Sequence, residues 1–341
     1  MNSAKKISFL FSYLMLIWIF SFIVEGVVHT QSLQKPDFIY TKSEFPSKTP
    51  KTKISYQKVS TSFYKTDSVF SCHSPKGYIP SLIHNIGEQA AAPFHFTTKQ
   101  WLYTGATAGI TTALIFADED IDAWARTQKE KHQWVNKSSP VISEFGSNYG
   151  VYSVITWGLV SAAFKNEKGV QTSLLATQAM ITSGIWTQVI KLLTGRERPK
   201  ASYIFSGIEG GKWHGVLSKY LEVNADDRSR FSYDAFPSGH AATAFSIATV
   251  FATQYNENKA VPVLLYSAAT LVGISRMTEH EHWASDVFVG SLLGYLSGKQ
   301  VVKHYNRTHP KPHIPWQTEQ KNNTEITFIQ YGNQIGFSMV W

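Results

Sequence analysis

Six long segments without a charged side chain alternate with short charged connectors from residue 101 onward in this 341-residue chain. The segments are rich in Ala, Thr, Ser and Gly, and they show little of the strict apolar and polar alternation that marks half-buried strands. Each segment therefore predicts a buried helix, and together they predict an all-α helical bundle. They run over residues 101–117, 145–164, 169–190, 241–256, 260–275 and 287–298.

The hydropathy of these segments is compatible with two placements. The mean hydropathy of the chain is −0.16, which is low for a protein built mainly from lipid-facing helices. Several segments are also shorter than the about 20 apolar residues that cross a bilayer. A bundle whose helices pack on one another is the simplest prediction. Membrane insertion of the first three segments is the alternative, because their lengths permit it.

The N-terminus has the pattern of an export signal. Lys5 and Lys6 precede an uncharged apolar run of 18 residues, which is long for a cleaved signal and short for a spanning helix. We assign residues 1–30 to a signal peptide or N-terminal anchor and expect an exported protein of the bacterial periplasm or envelope. Residues 31–95, rich in Ser, Thr, Lys and Pro, predict an extended lead-in. Cys72, the single cysteine, excludes an internal disulfide.

The C-terminal residues 309–341 predict a polar linker followed by a short β-strand or hairpin. Large apolar or aromatic side chains share one parity, as a strand requires, at Ile329, Tyr331, Ile335, Phe337, Met339 and Trp341. Gly332 and Asn333 suit a two-residue turn between two strands. The hairpin is expected to pack on the helical domain or to pair with another chain.

The net charge of +8, from 32 basic and 24 acidic residues, favours anionic partners. Charge alone does not distinguish nucleic acid, anionic lipid and phosphorylated metabolites. Three local clusters of polar residues narrow the choice.

The first cluster lies at the end of the third uncharged segment. Lys191 and Arg198 are seven residues apart, close to two helical turns. Gly195 and Pro199 argue against a continuous helix, so we expect Arg198 to begin a loop and to bend back toward Lys191. The alternative is a solvated basic helix end that complements the helix dipole.

The second cluster opens the helix predicted at residues 241–256. Ser238 suits an N-cap, and Gly239 lets the backbone approach a ligand closely. The free amides of the first turn would then bind an anion. His240 could donate a proton to a bound phosphate ester, whereas an ordinary capped helix gives no reason for a histidine here.

The third cluster contains Arg276, His282 and Asp286. His282 and Asp286 are four residues apart, so on a helix the carboxylate would accept a hydrogen bond from one imidazole nitrogen and leave the other free to attack. His280 points elsewhere in this arrangement. A metal site built from these histidines and Asp286 is the competing interpretation. It is disfavoured because Ala284 occupies the place of the second histidine of an HExxH motif.

Together the clusters supply cations, a helix N-terminus and two histidines, one with a carboxylate. Phosphoryl transfer through a covalent histidine needs cations for the equatorial oxygens, an in-line nucleophile and an acid for the leaving group. This chemistry requires no metal or other cofactor.

The clusters also resemble a known signature in its full order: Lys, six residues, Arg-Pro; Pro-Ser-Gly-His; then Ser-Arg, five residues, His, three residues, Asp. It belongs to the phosphatidic acid phosphatase type 2 and vanadium haloperoxidase superfamily, whose helical domain would occupy residues 96–308. The resemblance implies that phosphate is bound by Lys191, Arg198, Ser238, Gly239 and Arg276. It further implies His282 as the nucleophile, Asp286 as its orienting group and His240 as the acid.

The resemblance implies a metal-independent phosphatase that hydrolyses phosphate monoesters, either lipid phosphates or soluble esters, and that vanadate inhibits. One alternative keeps the pocket and uses vanadate as the cofactor of a haloperoxidase. Another is an inactive envelope protein that acts through its C-terminal strand. Membrane association and oligomeric state stay open, and nucleic acid is not expected as a partner.

An acidic run at residues 118–122 has the spacing that opens a calcium loop. Ala123 replaces the turn glycine, however, and Lys129 stands where the bidentate Glu belongs. We therefore interpret the run as a solvated connector that caps a helix around residues 123–129.

Overall fold

The computed structural model describes residues 75–203, 210–218 and 230–309, together with two C-terminal strands. The export signal, most of the lead-in with Cys72, and the polar linker lie outside the described residues. Nine helices occur in the described ranges: α1 Pro75–Ala91, α2 Thr98–Lys131, α3 Gln133–Glu144, α4 Asn148–Ala163, α5 Glu167–Thr194, the single turn α6 Pro199–Ala201, α7 Gly239–Gln254, α8 Ala260–Thr278 and α9 Ala284–Thr308.

The prediction of an all-α bundle is confirmed. The six uncharged segments correspond to α2, α4, α5, α7, α8 and α9. Helix α7 is central and packs against α5 on one side and α8 on the other. A core of large apolar side chains lies next to the end of α5 and the start of α9; it contains Ile190, Phe236, Val289, Leu293 and Leu296.

Glycines on α9 allow α7 to approach unusually closely. A Cβ atom on Gly290 would lie 2.3 Å from the carbonyl oxygen of Ser238, and one on Gly294 would lie 2.1 Å from that of Ala242. Both distances are far below van der Waals contact, so only glycine fits at these positions. This close packing fixes the N-terminal turn of α7 against α9.

The extended lead-in predicted up to residue 95 is wrong for its last part, because residues 75–91 form α1. Side-chain amides tie this helix to the bundle. The Asn85 Nδ2 atom donates to Gln178 Oε1 over 3.2 Å in a buried contact, and Trp186 Nε1 donates to Gln89 Oε1 over 2.7 Å. The polar composition that predicted a poorly packed segment therefore includes residues that anchor a helix.

The prediction that the acidic run at residues 118–122 is a solvated connector is also wrong. Helix α2 continues through it to Lys131, and Asp118 and Asp122 are buried within the helix. Their spacing of four residues places both carboxylates on the inner face of α2. Helix α3, at Gln133–Glu144, was not predicted, because its polar residues and Pro140 hide the helical periodicity.

Large apolar side chains are exposed along α2, α4 and α8. They include Leu102, Ile110, Phe116, Tyr152, Leu159, Val263 and Leu264. Among the described residues, one helix, Ala260–Thr278, is long and apolar enough to cross a membrane, with 28% of its most apolar window buried. An apolar surface of this extent is unusual for a monomer surrounded by water.

The chain divides into two compact units, residues up to His304 and Tyr305–Trp341. In the second unit, β1 Glu325–Tyr331 and β2 Gln334–Val340 pair antiparallel, with Tyr331 opposite Gln334. The hairpin of the sequence prediction is therefore present, with a connection of the predicted length between its strands.

Candidate active site

The basic cluster leaves α5 by a sharp turn at Gly195. This residue has a φ of +53°, and its amide caps the helix by donating to the Lys191 carbonyl over 3.1 Å. A Cβ atom here would lie 1.8 Å from Ser218 Oγ, so glycine is required by both backbone and space. Beyond the turn the chain is extended, and the Arg198 amide donates to the Ser232 carbonyl over 3.0 Å.

The two cations of this cluster meet at one carboxylate. The Lys191 Nζ atom lies 3.7 Å from Asp234 Oδ2, and the Arg198 Nη2 atom lies 2.8 Å from Asp234 Oδ1. The guanidinium of Arg198 thus returns toward Lys191, as the sequence predicts. Sequence reasoning missed Asp234, because its partners are 36 or more residues away along the chain.

The third cation, Arg276, lies in the last turn of α8 and joins the same group. Its Nη1 atom lies 2.8 Å from Glu279 Oε2 and its Nη2 atom 3.6 Å from Glu281 Oε2. Glu281 also forms an ion pair with Arg198. Glu281 therefore links two of the three predicted phosphate-binding cations, a role that the sequence motifs did not indicate.

The Ser238 turn has the predicted capping geometry. Ser238 is the N-cap of α7, and its Oγ atom accepts a hydrogen bond from the Ala241 amide over 3.4 Å. The Ser238 amide donates to the Asp286 carbonyl over 2.9 Å, which connects this turn to the start of α9. A Cβ atom on Gly239 would meet Thr187 at an ordinary 3.7 Å, so packing against described residues does not require glycine there.

His282 lies in the connection between α8 and α9, two residues before α9 begins at Ala284, so the placement of His282 and Asp286 on one helix is wrong. The His282 Nδ1 atom is 3.6 Å from Asp286 Oδ2, longer than a hydrogen bond. The same Asp286 oxygen accepts a hydrogen bond from the Trp283 amide over 2.8 Å. Asp286 therefore restrains the backbone of the loop that carries His282 and stays close to its ring.

Both histidines of the cluster have strongly lowered pKa values. Burial, reinforced by Arg276, Lys191 and Arg198, lowers the pKa of His240 to about 3. Burial and the same three cations hold the pKa of His282 well below its usual 6.5. The structure therefore brings the three cations and both histidines into one electrostatic neighbourhood, and at neutral pH both rings are uncharged.

A buried cation behind the site was also missed. The Arg196 side chain is fully buried and donates from Nη1 to Asp286 Oδ1 over 2.7 Å and from Nη2 to Asp118 Oδ2 over 2.6 Å. Asp118 also accepts hydrogen bonds from the amide and hydroxyl of Ser285, over 2.9 Å and 2.5 Å. Burial raises the pKa of both carboxyl groups, and Arg196 opposes that rise. The signal available in the sequence was Asp118 itself, an acid directly after an uncharged segment.

Two further features lie beside the site rather than in it. The His280 Nδ1 atom lies 3.0 Å from Asp122 Oδ1, so this ring faces α2, away from His282, as expected. In the long connection after Pro199, the His214 Nε2 atom lies 2.9 Å from Glu197 Oε1, and both side chains are nearly buried. The described part of this connection thus packs against the domain through buried side chains.

Known proteins match parts of this chain. The lipid A 1-phosphatase of Porphyromonas gingivalis is 43% identical over 67 residues, which are 19% of this chain and 15% of that protein. The lipid phosphate phosphatase 1 of Arabidopsis thaliana is 28% identical over 183 residues, which are 46% of this chain and 53% of that protein. The chain therefore spans about half or less of the length of these two relatives.

Two solved structures are similar to the chain at low identity. The LpxE structure from Aquifex aeolicus is 21% identical with a TM-score of 0.37, covering 54% of this chain and 93% of that one. The transmembrane PAP2 type phosphatidylglycerolphosphate phosphatase from Bacillus subtilis is 20% identical with a TM-score of 0.40, covering 70% and 98%.

A family model matches the part of the chain that holds the site. The model of the PAP2 superfamily matches residues 173–310. This range contains all three clusters, from Lys191 to Asp286. Over these residues the chain is therefore similar to the PAP2 superfamily.

Proposed function

We propose that this protein is a metal-independent phosphatase that releases phosphate from lipid phosphates through a phosphohistidine at His282. The observation that carries the proposal is the convergence of three cations: Lys191 and Arg198 meet at Asp234, and Arg198 and Arg276 meet at Glu281. The same cations lower the pKa of the two buried histidines, so cations and neutral imidazoles together form a site for a phosphate ester. The names of the relatives, which are lipid phosphatases, support the same reaction class.

Phosphate binding uses the cations and the start of α7. Lys191, Arg198 and Arg276 hold the nonbridging oxygens, and the free amides after Ser238 add hydrogen bonds at a helix N-terminus. The developing charge of the transition state is spread over these same oxygens, so the cations stabilise it as well. The phosphate must compete with Asp234 and Glu281 for these partners.

The reaction proceeds in two steps. In the first, the Nε2 lone pair of His282 attacks phosphorus, the ester P–O bond breaks, and His240 gives its proton to the departing alkoxide. In the second, water attacks phosphorus, His240 takes a proton from that water, and the P–N bond breaks to restore neutral His282. Asp286, near Nδ1, stabilises the positive ring that carries the phosphoryl group.

We expect the negative charge of the bound substrate to promote protonation of His240. With a pKa of about 3 the ring is neutral, because it is buried and because Arg276, Lys191 and Arg198 lower its pKa further. A bound phosphate dianion offsets these cations, so we expect it to raise the pKa of His240 and to favour the acid form that the first step needs.

The charges of the site argue against a catalytic metal. The same three cations that attract a phosphate repel a divalent ion placed among them. We therefore expect full activity in the presence of a chelator, and we expect inhibition by vanadate, which occupies the place of the phosphoryl group.

The apolar surface of α2, α4 and α8 supports a lipid substrate. A lipid phosphate presents its headgroup beside a hydrocarbon surface, which exposed side chains such as Leu102, Phe116 and Leu264 can contact. Together with the N-terminal export pattern, this surface leads us to propose an exported protein that acts at a membrane of the cell envelope.

Phosphate release from phosphatidate in detergent micelles, measured with EDTA present, tests the proposal. We expect turnover by the wild type, faster than turnover of p-nitrophenyl phosphate, and a loss of more than about 1,000-fold in His282→Asn. The matched control is His280→Asn, two residues away and facing Asp122, which should stay active.

The intermediate provides the second readout. Rapid quenching with a 32P-labelled substrate should trap an acid-labile, base-stable phosphoenzyme in the wild type and in His280→Asn, and none in His282→Asn. Phosphate release by His282→Asn at the wild-type rate would refute the covalent mechanism. Activity that EDTA abolishes would refute metal independence.

A further inference from the structure

A second cluster of ligand-type side chains lies far from the proposed active site. His84 and Glu88 are four residues apart on α1, and His304 lies near the end of α9. Asp286, in the active site, is at the opposite end of α9, about 27 Å away along the helix axis. The cluster therefore takes no part in phosphoryl transfer.

The distances within the cluster suit a small divalent cation. The His84 Nε2 atom lies 3.1 Å from Glu88 Oε1, and the His304 Nδ1 atom lies 3.8 Å from Glu88 Oε2. One ligand atom from each residue lies within 4.8 Å of the others. Two ligands bound tetrahedrally to zinc at about 2.0–2.2 Å are about 3.4 Å apart, so small side-chain adjustments would close the site.

The carboxylate of this cluster is oriented by a chain of hydrogen bonds. Gln300 Nε2 donates to Glu88 Oε2 over 2.9 Å, and Gln300 Oε1 accepts from Gln89 Nε2 over 3.0 Å. Gln89 in turn accepts from Trp186 Nε1 over 2.7 Å. Outer hydrogen bonds of this kind position ligating carboxylates before a metal binds. A simple surface ion pair between His84 and Glu88 would need none of them.

We propose that His84, Glu88 and His304 bind a zinc ion that connects α1 to α9, the first and the last helix of the described residues. Two neutral imidazoles and one carboxylate are a usual zinc ligand set, and a water molecule completes the tetrahedron. The site is open to solvent, since 55% of the His84 side chain is exposed. Because α1 and α9 are far apart in sequence, the ion closes a long loop and stabilises the folded chain.

Equilibrium dialysis of the purified full-length protein against zinc chloride, with metal content measured by mass spectrometry, tests this site. We expect one zinc per chain in the wild type and in the control His95→Ala, an exposed histidine that follows α1. His84→Ala and His304→Ala should bind at least 100-fold more weakly. Gln300→Ala, which removes the orienting hydrogen bond, should bind about 10–100-fold more weakly.

Thermal unfolding separates lost binding from lost folding. In EDTA, His84→Ala should unfold at the wild-type temperature, because its side chain is largely exposed. Added zinc should raise the unfolding temperature of the wild type and of His95→Ala, and leave that of His84→Ala unchanged. Zinc bound by His84→Ala with wild-type affinity, or no stoichiometric zinc in the wild type, would overturn the proposal.

Discussion

Replacing Arg196 by methionine removes the cation that two buried carboxylates share behind the proposed nucleophile. Methionine has a similar length and no hydrogen-bond donor. The substitution leaves Asp118 and Asp286 buried without their guanidinium, and it also removes hydrogen bonds to Ser285 Oγ and to the Gly210 carbonyl.

The magnitude follows from burial. The Arg196, Asp118 and Asp286 side chains are all 0% exposed, so water cannot replace the lost partner. Breaking such a buried pair costs about 3–5 kcal/mol. For a domain of this size, that loss lowers the unfolding temperature by about 6–20 °C.

The loss of unfolding free energy in Arg196→Met should depend on pH. Without Arg196, the effect of burial is opposed less, so the pKa values of both carboxyl groups in the folded variant rise further above the value of 3.8 in the unfolded chain. The folded variant then gains stability by binding protons, and loses it as pH rises through those pKa values. The deficit relative to wild type should therefore be larger at pH 8 than at pH 5.

Thermal unfolding of the two proteins at both pH values measures this effect, with Arg126→Met as the matched control. Arg126 also pairs with a carboxylate, Asp122 at 3.4 Å, but 39% of its side chain is exposed. Its loss should cost at most about 1 kcal/mol. Equal losses in Arg196→Met and Arg126→Met, or a deficit that does not change with pH, would refute the reasoning.

Three further predictions concern packing, competition for phosphate and protonation. Gly290→Ala should cost about 1–3 kcal/mol in a denaturant titration, because its Cβ would meet the Ser238 carbonyl at 2.3 Å, whereas Gly184→Ala, with nothing within 4 Å, should stabilise by up to about 1 kcal/mol. Glu281→Gln should lower the inhibition constant of inorganic phosphate about fivefold, since one carboxylate no longer competes for two arginines; a raised constant would contradict this. The unfolding temperature of the wild type should fall as pH drops below 6.5. His240 and His282 have lowered pKa values in the folded chain, so the unfolded chain binds more protons in this range. His240→Asn should show a smaller fall.

Local patterns were sufficient for the helical bundle and for the motif residues. Uncharged segments longer than two helical turns have few alternatives to a buried helix, and the caps at Ser238 and Gly195 follow from the chemistry of single residues. Helix α1 and the continuation of α2 through the acidic run were not predicted, and the reason is the same for both. Their buried faces carry polar side chains such as Asn85 and Asp118, whose partners come from distant parts of the chain.

The sequence by itself determined which residues we propose to carry the chemistry, because the types and spacing of His240, His282 and the cations match a phosphate site. Only the tertiary structure decided how those groups are held. Asp234 and Glu281 bridge the cations. Arg196 joins Asp118 of α2 to Asp286 of α9, which are 168 residues apart in the sequence. Such ion pairs form because folding removes water from the charged groups, and a charged partner must then replace the water. That partner comes from a distant part of the chain, so no local sequence pattern indicates which residue it is.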